Sequence, residues 1–147
     1  MARFSPGRWP GAPLAATVTV MTNRNGSVKV FLADDSAMIR SRVGALLGAR
    51  AMHIVGESET PQGAIDGILA AHPDVVVLDV QLEGGSGLEV LRVVRQIDPG
   101  IGFVVFSINA GPAYRKRYLG EGAVQFLDKS TEFDQLAAAV EHASHPH

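Results

Sequence analysis

The sequence predicts an α/β domain, a doubly wound parallel sheet of five strands with helices on both faces. Two observations carry that prediction. Apolar runs rich in β-branched residues alternate five times with segments of helical periodicity, each about 10–14 residues long. One of the runs, "DVVVLDV" (74–80), is continuous rather than alternating, the mark of a strand covered on both sides. Right-handed crossovers between parallel strands then place helices over both faces.

The elements follow in order. "VKVFLA" (28–33) reads as the first strand, and Ile39, Val43, Leu46 and Leu47 form a helical stripe before Gly48. "AMHIVGES" (51–58) is the second strand. Ala64, Ile65, Ile68 and Leu69 mark a second helix that Pro73 stops. After the third strand "EGGSG" (83–87) reads as a loop, and Leu88, Leu91, Val94 and Ile97 give a third helical face. "IGFVVFS" (101–107) is the fourth strand, and Gly111-Pro112 opens the fourth helix with proline in its first turn. "AVQFLD" (123–128) is the fifth strand. Thr131 and Asp134 resemble a capping box for a last helix with the stripe Phe133, Leu136, Ala137 and Val140.

Open parallel sheets build their sites outside the carboxyl ends of the strands. Those ends can be read off: Asp34 and Asp35 after the first strand, Asp79 closing the third, Ser107 closing the fourth, and Lys129 just past the fifth. Three carboxylates, a hydroxyl and an ammonium would converge on one edge. Carboxylates so placed repel one another unless a cation sits among them. Only oxygen ligands are offered, so the fitting ion is hard; Mg²⁺ (or Mn²⁺) suits, since Mg²⁺ takes one or two carboxylates plus phosphate oxygens. Asp79, emerging from a buried strand, is then a nucleophile toward phosphorus, with Lys129 and Ser107 spreading charge over the transferred group's oxygens.

Plainer readings exist for each residue. Asp34, Asp35 or Ser36 would cap the first helix, but one cap needs one such residue, not three. Asp79 alone reads as a turn former, Lys129 alone as a solvated lysine, and Phe126 as core. It is the combination that speaks for chemistry. "YRKRY" (114–118) puts three cations and two tyrosines on the fourth helix, either as a solvated face with packed aromatic stems or as a docking patch for an acidic partner.

Bulk properties exclude several classes. A net charge of −2 gives no global argument for nucleic acid or an anionic membrane. The absence of cysteine excludes disulfides and thiolate chemistry and fits a reducing, cytoplasmic setting. No apolar run approaches the ~18 residues a membrane span needs. Residues 1–27, with three prolines, three glycines, three arginines and no acid, read as a flexible tail. A signal peptide around "LAATVTV" and a start at Met21 are the competing readings of that segment. Residues 144–147 read as a frayed end, and the five histidines show no ligand spacing.

The "DDS" after strand one, "VVVLDVQLEGGSG", the "VVFS" strand and "FLDKS" together resemble the receiver domain of bacterial two-component response regulators, over about residues 28–143. The resemblance implies a flavodoxin-like (βα)5 fold with strand order 2-1-3-4-5. It implies Asp79 as phosphoacceptor, and Mg²⁺ held by Asp34, Asp35, Asp79 and the backbone carbonyl of Gln81. Ser107 and Lys129 would contact the phosphate, with Ser107 and Phe126 as the switch pair. The implied partners are a histidine kinase or histidine phosphotransfer protein, and a downstream protein docking on the face of helix four, strand five and helix five (Tyr114, Arg117, Tyr118, Phe126). Neither DNA nor membrane contact is implied, and the domain would be a monomer or a phosphorylation-dependent dimer. Because the last helix exhausts the chain, a stand-alone regulator without an output domain is expected.

Two positions depart from the family pattern. Ile108 follows Ser107 where a small residue is commoner, so a bulky side chain would control access and slow dephosphorylation. Ser130 replaces the common proline after the lysine. Within the receiver reading, a docking switch and a phosphorelay intermediate or phosphate sink are both open. An aspartate-nucleophile phosphatase of the haloacid dehalogenase type is a weaker rival, since its general-acid aspartate would fall at Gln81. A flavodoxin-like flavin binder shares the fold class, but "ADDS" would repel the phosphate its first loop must cradle.

Overall fold

A computed structural model of the chain describes residues 27–145. The tail expected at residues 1–27, with its signal-peptide and alternative-start readings, lies outside them except for Ser27, as do the last two residues of the C-terminal end. The five strands of the sheet are β1 (Lys29–Ala33), β2 (His53–Ser58), β3 (Val75–Leu78), β4 (Gly102–Ser107) and β5 (Gln125–Asp128). They alternate with α1 (Ala37–Gly48), α2 (Pro61–Ala71), α3 (Gly87–Ile97), α4 (Pro112–Gly120) and α5 (Leu136–Ala143). All four pairings are parallel and the spatial order is β2-β1-β3-β4-β5, as expected from the resemblance.

The period-two alternation of each strand splits the core in two. Phe31, Val76, Leu78, Phe103 and Val105 face α2, α3 and α4, where Ile68, Leu91 and Val94 close over them. Val30, Leu32, Val75, Val77, Val104 and Phe106 face the other way, toward Val43 and Leu47 of α1 and Leu136 and Val140 of α5. The central strand β3 is buried at every position, which accounts for its uninterrupted apolar run. Among the described residues no helix is long and apolar enough to cross a membrane.

Local chemistry sets the helix starts. The Ser36 hydroxyl accepts from the Ile39 amide (3.2 Å) to cap α1, and the Thr60 hydroxyl accepts from Gly63 (3.1 Å) ahead of Pro61 in α2. The structure corrects three expectations. "EGGSG" belongs to a short antiparallel hairpin, Gln81–Leu82 against Gly85–Ser86, turned by Gly84 at φ +83°. Gly87 then opens α3 so close to β3 that a Cβ would run into the Asp79 carbonyl. In α3 the buried stripe runs through Val90, and Ile97 lies exposed where the helix ends. The Thr131–Asp134 capping box does not form: a 3₁₀ turn (Phe133–Gln135) leads into α5, and Glu132 turns back to accept from the Asp128 amide (2.8 Å).

Candidate functional site

The sheet's own hydrogen bonds carry the edge residues to one place. Beyond the ladder, the Asp34 amide donates to the Ser58 carbonyl (3.0 Å), Asp79 to Ala33 (2.9 Å) and Lys129 to Ser107 (3.0 Å). Each residue is therefore fixed by the neighbouring strand before its side chain makes any contact. One carboxylate oxygen from each of Asp34, Asp35 and Asp79 lies within 4.8 Å of the others. Asp34 and Asp79 are 6% and 7% exposed, whereas Asp35 faces solvent.

Lys129 bridges the two buried acids. Its Nζ donates to Asp34 Oδ2 at 2.7 Å and to Asp79 Oδ2 at 3.1 Å. Burial pulls its ammonium down, but the Asp34 hydrogen bond and the charges of Asp79 and Asp34 outweigh it and leave the pKa raised. The Ser36 amide donates to Asp34 Oδ1 (2.9 Å), and the Gln81 amide lies 3.5 Å from Asp79 Oδ1. One ammonium cannot neutralise three carboxylates, and every donor atom offered is oxygen. A hard divalent cation fits this set, and Asp34, Asp35 and Asp79 are the residues that could hold it.

Ser107 is fully buried at the end of β4, and its hydroxyl accepts from the Asn109 amide at 3.0 Å. Next to it Ile108 is 70% exposed and lines a cavity of about 340 Å³ with Asp35, Asp79, Gln81, Asn109 and Lys129. An apolar side chain thus stands at the mouth of an acidic pocket.

The face expected to dock a partner is only half as drawn. Tyr114 and Arg117 are exposed, but Tyr118 and Phe126 are 3% and 4% exposed and stack edge to face, centroids 6.0 Å apart. Tyr118 sits at the inner end of α4, where its hydroxyl donates to the Val80 carbonyl (3.4 Å). Tyr114, Arg117 and Tyr118 line a groove shared with Leu88 of α3 and the hairpin. Nor are all three cations of "YRKRY" solvated: Arg115 bonds the Ala110 and Phe126 carbonyls and Glu132.

Sequence reasoning gave Arg40 no role, yet its guanidinium donates to the Asp34 carbonyl (2.6 Å) and to Glu57 Oε1 (2.9 Å). A basic residue one turn into the first helix and an acid near the end of the second strand were its visible signal. Asn109, which fixes the Ser107 hydroxyl through its backbone, left none.

Tyr118 offers a check on the packing. Burial, with the nearby Asp79 charge, pushes its phenol from the ordinary 10.0 up to about 12, against a backbone hydrogen bond from Leu88 that lowers it. A phenol with a raised folded pKa holds its proton more tightly in the native chain. Its stabilising share is complete below pH 10 and is lost as pH climbs toward 12. Lys129, also raised, loses its share in the alkaline range too. Tyr118→Phe should therefore make the alkaline fall in stability shallower over that interval, read by urea unfolding at stepped pH. An unchanged slope would contradict the burial of this hydroxyl.

Comparison with known proteins agrees with this geometry. The family model described as "Response regulator receiver domain" matches residues 30–141. Transcriptional regulatory protein DesR of Bacillus subtilis (strain 168) is 30% identical over 114 residues, covering 77% of this chain and 56% of DesR. DNA-binding transcriptional activator DevR/DosR of Mycobacterium tuberculosis is 33% identical over 114 residues, 77% of this chain and 52% of that protein. The chain spans about half the length of these curated relatives. Among solved structures, a LuxR-family two-component response regulator from Aurantimonas sp. SI85-9A1 superposes with a TM-score of 0.77 at 27% identity, over 81% of this chain and 86% of that one. The response regulator domain of Thermotoga maritima CheB shares the fold, with a TM-score of 0.74 at 24% identity over 83% and 99% of the two chains. A family match over most of the chain, on a fold shared with solved regulators, makes this chain a member of the response regulator receiver domain family of two-component systems.

Proposed function

We propose that this chain is a phosphoacceptor switch in which Asp79 takes a phosphoryl group from a phosphohistidine of a histidine kinase or phosphotransfer protein, and that the resulting surface docks a partner protein. The observation that carries the reading is the Lys129 ammonium shared between Asp34 and Asp79 beside a third carboxylate. In the transfer, an Asp79 carboxylate oxygen forms the new P–O bond as the P–N bond to the donor imidazole breaks. The departing imidazole keeps the electron pair and is protonated. Lys129, already at 3.1 Å from Asp79, neutralises one phosphoryl oxygen. The Ser107 hydroxyl is fully buried and its oxygen accepts from Asn109, so its proton is free to turn to another phosphoryl oxygen. Asp34, Asp35 and Asp79, with the Gln81 carbonyl, would hold Mg²⁺, which supplies positive charge so that an anionic phosphoryl group can approach three acids.

The switch role, the domain limits of 28–143 and a cytoplasmic setting beside the kinase belong to the same proposal. DesR and DevR/DosR carry transcriptional regulation in their names; in this chain the proposed output is protein docking. The exposed Tyr114 and Arg117 at the α3–α4 groove suit a partner segment with an apolar side chain next to an acid.

Asp35→Asn tests the metal half. Asp35 is the exposed member of the three acids, so the change costs little packing while removing one ligand charge. Mg²⁺ affinity should fall at least about tenfold, the scale at which even groups behind the ligands act. Labelling of an intact Asp79 by acetyl phosphate should be suppressed with it. If affinity and labelling both match wild type, the metal site is misassigned. Ile108→Ala tests access: opening the mouth of the pocket should shorten the acyl-phosphate lifetime several-fold. A lifetime equal to or longer than wild type would remove Ile108 as a gate. Rapid onward transfer of label to a histidine phosphotransfer protein would mark a relay instead of a docking switch.

A further inference from the structure

We infer that Arg115 is a positioning residue that clamps α4 onto the strand carrying Lys129 and holds the resting arrangement of the site. The inference rests on the phosphoacceptor reading above and adds the residue that regulates it. Three acceptors meet the one guanidinium. Nε donates to the Ala110 carbonyl (3.0 Å), Nη1 to the Phe126 carbonyl (3.0 Å) and Nη2 to Glu132 Oε1 (3.2 Å). The guanidinium also lies over the Phe126 ring, 5.2 Å from its centroid. Its rigid fork makes these bonds mutually dependent, so one cannot shift without disturbing the rest.

What the fork holds matters more than the number of bonds. The same Glu132 oxygen accepts from the Asp128 amide at 2.8 Å, and Lys129 is the next residue. The ammonium of Lys129 reaches Asp34 and Asp79, and its amide is bonded to the Ser107 carbonyl. A second tether closes the circuit: Tyr118, one turn further along α4, donates to the carbonyl of Val80, the residue after Asp79, and packs on Phe126. Helix α4 is thus fastened at two points to the strands that carry the acceptor aspartate and the lysine.

A phosphoryl group on Asp79 competes for the Lys129 ammonium. The Asp34–Lys129–Asp79 bridge present here belongs to the state without it, and Arg115 makes its three bonds in that state. Drawing Lys129 toward a phosphoryl oxygen pulls on Asp128 and Glu132, and through them on the fork. Because coupling between two sites is reciprocal, loosening α4 must change how strongly the site binds a phosphoryl mimic.

The test uses the full chain with beryllofluoride and Mg²⁺, comparing wild type, Arg115→Ala, Arg115→Lys and Glu132→Ala. Two quantities are read: apparent beryllofluoride affinity, and the mimic-dependent change in hydrogen exchange of α4. For Arg115→Ala the affinity should rise about threefold or more while the α4 response shrinks by a similar factor. Arg115→Lys keeps the charge without the fork and should restore only part of both. Glu132→Ala, which leaves two of the three guanidinium bonds in place, should move both in the same direction if Arg115→Ala fails to fold. A purely structural role would lower the melting temperature of each variant and leave both readouts as in wild type, and that result overturns the inference. If wild type itself neither binds the mimic nor changes exchange, the phosphoacceptor reading falls and this inference with it.

Discussion

Asp79→Asn should abolish phosphate incorporation from any small donor while leaving the chain folded. The amide matches the carboxylate in shape but offers no anionic oxygen to attack phosphorus. Folding survives because Lys129 keeps its shorter bond, 2.7 Å to Asp34, and because the Asp79 amide remains tied to the Ala33 carbonyl. Neutralising one of three mutually repelling acids also relieves the apo site, so stability in chelator should hold or rise. The measurement is intact-mass detection of an acid-stable, hydroxylamine-labile adduct after incubation with acetyl phosphate and Mg²⁺. Wild type should show one adduct and Asp79→Asn none. A labelled Asp79→Asn protein would move the acceptor to another group of the pocket, with Asp34 and Asp35 the first to examine.

The strands and their carboxyl ends were legible because both rest on local pattern. A strand covered on both faces must be apolar throughout, so residues 74–80 announced β3, and the first polar residue after each apolar run marked the edge. That rule found Asp34, Asp79 and Ser107, all buried, and Lys129 stands one residue past the polar end of the fifth run. What stayed hidden depends on contacts distant in sequence. Tyr114 and Tyr118 share a face of α4, yet only Tyr118 reaches the floor of the groove, because Val80 and Phe126 lie beneath its end of the helix. Helical periodicity gives direction and says nothing of depth. Arg115 looked like one of three solvated cations because its partners lie 5, 11 and 17 residues away, on a loop, a strand and a turn. The capping box failed for a related reason. Glu132 is occupied by the end of β5, and the start of α5 is set by that packing and not by the capping preference of Thr131.

Removing the lysine should produce the largest change in stability. Lys129→Met retains most of the side chain's volume and deletes the charge that Asp34 and Asp79 share. All three side chains are 9% exposed, so the two carboxylates would be left desolvated without a counter-charge. Breaking a buried ion pair from one side costs about 3–5 kcal/mol. Wild type and variant should differ by that amount in urea unfolding with chelator present. Mg²⁺ should then narrow the gap. In wild type the ion must share Asp34 and Asp79 with the ammonium; in the variant it has both to itself. A ligand that binds only the native state adds about 2.7 kcal/mol at a hundredfold excess over its dissociation constant, so at equal Mg²⁺ the variant should gain more than wild type. Asp34→Asn added to Lys129→Met should return part of the loss in chelator, because one of the two stranded charges is gone. Equal stability of wild type and Lys129→Met in chelator would mean that water, not the lysine, satisfies these acids. The central electrostatic claim about the site would then fail, whatever the phosphorylation assays showed.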